Sequence, residues 1–84
     1  MTRRSGSNQR WEHIDIDWLV QGEGDITIGR LGPIRCVATA ADGHNALAML
    51  VRRPHESLEE LLTRLDDAIR SAIEDESYID EINP

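Results

Sequence analysis

The strongest hydrophobic pattern in the chain lies between positions 58 and 73. Leu58, Leu61, Leu62, Leu65, Ile69 and Ile73 recur at i, i+3, i+4, i+7, i+11 and i+15, and Ala68 and Ala72 fill the same stripe. This spacing gathers them on one side of an α-helix and predicts an amphipathic helix with a face to bury. Ser57 followed by Glu60 supplies a capping box. Pro54 lies upstream, where it does not interrupt the helix. Glu60 with Arg64 and Asp66 with Arg70 stand at i,i+4, where an ion pair contributes about 0.2–0.5 kcal/mol. Glu74, Asp75 and Glu76 crowd the negative end of the helix dipole, so fraying is expected there.

Upstream the period is two. Ile14, Ile16, Trp18 and Val20 alternate with His13, Asp15, Asp17 and Leu19, a pattern that predicts a strand with one apolar face. Gln21 to Gly24 has turn composition, and Asp25 to Arg30 follows as a second strand in a hairpin. Leu31-Gly32-Pro33 breaks the run. Segments 34–41 and 44–52 flank Asp42-Gly43, a pair favoured in two-residue type I′ hairpins. A loop of those two residues puts Ala41 opposite His44, Thr39 opposite Ala46, Val37 opposite Ala48 and Arg35 opposite Leu50. The core face is then Ile34, Cys36, Ala38, Ala40, Leu47, Met49 and Val51, and a three-residue loop would exchange the two faces.

The expected fold is α+β: an antiparallel β-meander of three to four strands followed by one long C-terminal amphipathic α-helix packed on one sheet face. Residues 1–10, polar and without periodicity, are expected to form a flexible N-terminal arm. Residues 11–76 form the single domain. Residues 77–84 form a tail, anchored by Tyr78, Ile79 and Ile82, that adds a short edge strand or packs in extended form.

Composition narrows what such a fold does. A chain of 84 residues buries only about 60% of its unfolded surface, so its core calls for a supplement. The one cysteine, Cys36, excludes an intramolecular disulfide and makes a homodimer the expected supplement. The basic start has no apolar run behind it, as a secretory or twin-arginine signal would. No stretch approaches the roughly 18–20 apolar residues of a membrane span, so a cytoplasmic protein without membrane contact is expected. The net charge of −7 is unevenly placed: residues 56–84 hold ten acids against Arg64 and Arg70. That half disfavours broad contact with nucleic acid or an anionic membrane.

Candidate chemistry is sparse. Cys36, His13, His44 and His55 are the available soft ligands, and they lack the paired spacing of a zinc site. Cys36 reads as a buried structural thiol. The acid pairs Asp15/Asp17, Glu59-Glu60 and Asp66-Asp67 follow no calcium-loop pattern and read as solvated surface. Gly22-Glu23-Gly24 lacks the third glycine and the following helix of a dinucleotide site and reads as a turn. No phosphate loop or nucleophile elbow is present. The chain is therefore expected to be no enzyme, with no metal and no cofactor.

The outer sheet face carries the binding candidates Arg35, Val37, Ala46, Ala48, Leu50 and Arg52, with Thr39, Ala41 and His44 beside them. Small side chains with arginines near one end fit a subunit interface or a protein partner. The alternative is a small nucleic-acid-binding or regulatory protein, with Arg30, Arg35, Arg52, Arg53 and the N-terminal arm on phosphates and Trp11 stacking on bases. A third reading is a partly exposed face with no role. A sheet followed by a helix resembles two groups, the Whirly-type single-strand binders and the HicB-like antitoxins. Glu56-Ser57-Leu58-Glu59-Glu60-Leu61 is similar to a helix onset of the second group. Neither resemblance carries site residues across, and no family is assigned.

Overall fold

In the computed structural model the described residues are 13–43 and 45–83. The expectations for residues 1–10, for Trp11 and for His44 lie outside them. The element order is α1 (Ile14–Gln21), β1 (Asp25–Leu31), β2 (Ile34–Asp42), β3 (Asn45–Val51), α2 (Leu58–Asp75) and β4 (Ile79–Asp80). The sheet runs β1-β2-β3-β4, with the first three strands antiparallel and β4 parallel to β3. Joining parallel neighbours requires a crossover, and α2 is that crossover. The fold is thus α+β, a mostly antiparallel sheet with α2 after its first three strands, and the tail supplies the short edge strand β4.

The segment expected as the first strand is instead helix α1. Its alternation of apolar residues over-reads a pattern that is also helical, and Leu19, which a strand assigns to the polar side, is the buried residue at 2% exposure. The helix is eight residues long, too short to persist alone. Its own N-cap, His13, makes no side-chain cap. The cap comes from the other helix: the Ile16 N–H donates to Asp66 Oδ1 at 2.8 Å. Asp15 pairs with Arg70 at 2.8 Å and His13 Nε2 lies 3.0 Å from Glu59 Oε2, so three contacts tie α1 along α2.

Helix α2 starts as expected. Ser57 Oγ accepts from the Glu60 N–H, and Glu60 Oε1 accepts from the Ser57 N–H. Its buried stripe is Leu61, Leu65, Ala68, Ile69 and Ala72, while Leu58 and Ile73 at the ends are exposed and Leu62 is half-buried. The helix stops at Asp75, and Glu76 closes it in the left-handed region at φ 54°. Gly24 lets α1 approach β1: a Cβ there would overlap the Leu19 side chain and stand 2.9 Å from the Ala41 carbonyl oxygen.

The β2–β3 register departs from the expected one. Asp42 pairs with Asn45 where Ala41 was expected opposite position 44, a displacement that keeps the parity of the faces. A bulge between Ala40 and Ala41 then inserts one extra residue on β3, and beyond it Ala40 pairs with Ala48 and Ala38 with Leu50. One extra residue exchanges the faces. β2 keeps three of its four predicted inner residues, with Ala38 and Ala40 buried and Cys36 packed against the core, while Ile34, beyond the irregularity that follows Gly29 on β1, is half-buried outside the core cluster. On β3, however, Ala48 and Leu50 turn inward beneath the helices, and Met49 and Val51 turn outward.

Candidate interaction surfaces

The register scatters the predicted site residues. Arg35, Ala46 and Arg52 are exposed. Ala48 and Leu50, each 1% exposed, belong to the core under the helices and form no part of an outer face. Val37 is 2% exposed and lies outside that core cluster. The face away from the helices is instead formed by Thr27, Val37, Thr39, Met49 and Val51, in register across three strands. No described helix lies over it, and all of these but Thr27 are buried or half-buried.

A second surface lies on the side of α1 and β1. Of the nine large hydrophobic residues exposed among the described ones, Ile14, Trp18, Val20, Ile28 and Leu31 are on these two elements. Ile14 and Trp18, one helical turn apart and 63% and 58% exposed, stand away from the inward Leu19. β1 is also the long open edge of the sheet: its partner β2 lies on one side only, whereas the opposite edge is the two-residue β4. An unpaired strand edge is a template for another chain. Sequence periodicity missed this surface because it assigned residues 14–20 to a strand and gave β1 a neighbour on both sides.

A third feature is an arginine-rich end in an acidic molecule. The Arg52 N–H donates to the Cys36 carbonyl at 3.0 Å, and Leu31 pairs with Ile34, so Arg30, Arg35 and Arg52 fall at one level across three adjacent strands. Strand neighbours are about 4.8 Å apart. The loop after β3 adds Arg53, and between this loop and the start of β2 is an open hollow of about 590 Å³ lined by Ile34, Arg35, Cys36, Val51, Arg52, Arg53 and Pro54. Cys36 is thus half-buried at its margin rather than sealed in the core.

Arg64 holds this end in place. Its Nε donates to Glu56 Oε2 at 2.7 Å, one terminal nitrogen donates to Glu81 Oε2 at 3.0 Å, and the other donates to the Val51 carbonyl at 2.9 Å and to Glu56 Oε1 at 3.1 Å. Glu56 Oε1 also accepts from the Arg53 N–H, and Glu81 Oε1 from the Val51 N–H. The expected pairing of Arg64 with Glu60 does not form, because the Glu60 carboxylate is used in the cap. The Arg64 hydrogen bonds pull the Glu56 carboxyl from 4.5 down to about 2, against burial, with help from the Arg53 N–H. Asp66 moves the other way: burial raises it above its ordinary value, opposed by the Ile16 N–H.

Other candidate groups do not converge. His13 sits between the helices against Glu59, His55 is in the β3–α2 loop at φ 69°, and Cys36 is on β2. Among the described residues no three His, Cys, Asp or Glu side chains are grouped to hold a metal ion. Among them, too, no helix is long and apolar enough to cross a membrane.

Comparison with known proteins gives no relative: no family model, no curated protein and no solved structure matches the chain significantly. The helix-first order also departs from the sheet-then-helix arrangement of the two groups that the sequence resembles.

Proposed function

We propose that the chain is a non-catalytic, cytoplasmic protein-interaction module that works as a homodimer, two copies joining along their β1 edges with α1 beside the seam. The observation that carries this reading is the open β1 edge flanked by exposed Ile14, Trp18, Ile28 and Leu31. An apolar patch of this kind on a small domain is a site of association, and a large aromatic such as Trp18 is the residue type that anchors interfaces. An antiparallel copy paired along β1 keeps side chains of like face together, so Ile26 and Ile28 of one strand meet those of the other on the side that carries α1. Joining the edges extends the helix-free face across both copies and leaves it for a protein partner.

Sedimentation at micromolar concentration tests this. The wild type sediments as a dimer, and Trp18→Glu and Ile28→Lys each shift it toward monomer by setting a charge in the apolar seam. A wild type that stays monomeric to millimolar concentration removes the reading. Dissociation by Thr39→Glu with Trp18→Glu and Ile28→Lys both silent moves the interface to the helix-free face. A second reading, a small nucleic-acid-binding protein, is favoured by the level row of Arg30, Arg35 and Arg52. It requires single-strand binding that weakens steeply with salt and is lost when those arginines become Gln.

A further inference from the structure

We propose that the hollow at the arginine-rich end binds a small organic anion, its carboxylate or phosphate head taken by Arg35, Arg52 and Arg53 and its apolar body laid on Ile34, Val51 and Pro54. At about 590 Å³ the hollow falls within the roughly 300–1,000 Å³ of small-molecule sites, which pair apolar walls with a few placed polar groups.

The charge arithmetic at this end favours an anion. The carboxylates of Glu56 and Glu81 are already committed: Glu56 to Arg64 and the Arg53 N–H, Glu81 to Arg64 and the Val51 N–H. The guanidinium groups around the hollow are not. Arg35 has no ion pair among the described residues, and Arg53 reaches Glu81 only at 4.0 Å. Among the described residues Arg52 is bonded through its Nε alone, to the Glu56 carbonyl at 2.9 Å, which fixes the side chain while its two terminal nitrogens keep their donors. A guanidinium held by one nitrogen and open at the others suits a planar or tetrahedral anion, which it grips in a two-point fork. The Arg64 clasp makes the site rigid by tying Val51, the loop before α2 and the tail together beneath it. Cys36 is a built-in reporter at the margin.

The test is a titration of the ¹⁵N-labelled full chain with hexanoate, hexyl phosphate, hexanol and inorganic phosphate, followed by amide shifts and by the rate at which iodoacetamide alkylates Cys36. Hexanoate or hexyl phosphate is expected to shift the amides of residues 34–36 and 51–53 in a saturable way and to slow alkylation. The stronger of the two identifies the head group. Arg35→Gln or Arg52→Gln is expected to weaken binding about tenfold, the equivalent of one charge-assisted hydrogen bond, and Trp18→Glu, on α1 and outside the lining of the hollow, to leave it unchanged. Hexanol binding as well as hexanoate overturns the role of the arginines. Inorganic phosphate binding as well as hexyl phosphate overturns the role of the apolar floor. Absence of shifts with either anion at about 20 mM, well beyond the affinity of a two-point contact, overturns the site. A short single-stranded oligonucleotide that displaces hexyl phosphate with steep salt dependence replaces it with a nucleic-acid contact.

Discussion

Replacing Arg64 by Met keeps the length of the side chain and removes every donor of the clasp. Four hydrogen bonds are lost, two to Glu56, one to Glu81 and one to the Val51 carbonyl. The critical loss is at Glu56, whose side chain is only 7% exposed and keeps just the Arg53 N–H at 2.9 Å. Glu81, at 31% exposure, recovers part of its loss from water. Breaking one side of a buried pair costs about 3–5 kcal/mol, and the partial exposure of Glu81 places this variant near 3. For 84 residues the total stability is about 4–13 kcal/mol, so the variant is markedly weakened but folded. The pH dependence separates this mechanism from a general packing loss. Because the folded Glu56 value is depressed to about 2, its contribution is complete above 4.5 and disappears as pH falls from there toward 2. Urea melts followed by circular dichroism between pH 5 and pH 2.5 should therefore show a steep loss in the wild type that is flattened in Arg64→Met. Amide exchange should also quicken at Glu81, whose N–H donates to the Met49 carbonyl at 2.7 Å. A loss below about 0.5 kcal/mol, the size of an ordinary surface substitution, or an unchanged acid slope, would refute the clasp.

Three further substitutions probe the packing. Gly24→Ala forces a methyl group onto Leu19 and toward the Ala41 carbonyl and should cost about 1–3 kcal/mol in urea melts, as overpacking does. Ala48→Glu puts a carboxylate under α2 at a 1% exposed position and should cost about 4 kcal/mol or more, abolishing the cooperative melt, whereas Thr39→Glu on the helix-free face stays folded. Asp66→Ala removes the acceptor that caps α1 and should cost about 1 kcal/mol, like the loss of an N-cap. Asp66→Asn keeps the acceptor and should cost less than half of that, and it also removes the decline in stability as pH rises through the raised Asp66 value.

How far the sequence reached depended on whether a feature was local. The α2 start was legible because Ser57 and Glu60 satisfy each other's backbone within one turn. β1, β2 and the turn near Asp42-Gly43 were legible from glycine placement and from runs of β-branched or small apolar residues. Helix α1 was not. Its N-terminus is satisfied by Asp66, fifty positions away, and alternation over so few residues does not separate a strand from a helix that buries only Leu19. The binding face was misplaced for a similar reason. β3 is apolar at every position from Ala46 to Val51, so composition gave no vote on which half faces inward, and one bulged residue decided it. The Arg64 contacts to Glu56 and Glu81 escaped notice because a helical i,i+4 partner, Glu60, stood closer in sequence.

That evenness of β3 bears on how the sheet tolerates a slip in register. Its inner pair, Ala48 and Leu50, and its outer pair, Met49 and Val51, are chemically alike. Leu47 is the extra residue of the bulge and is itself part of the core. Closing the bulge with Leu47 in place sets it opposite Ala40 and Met49 opposite Ala38, so β3 has two apolar frames that differ in which pair lies under α2 and which lies in the open. A one-residue slip at the bulge, usually the most disruptive event in a sheet, becomes here a means of everting one strand and repainting the helix-free face while the core stays apolar.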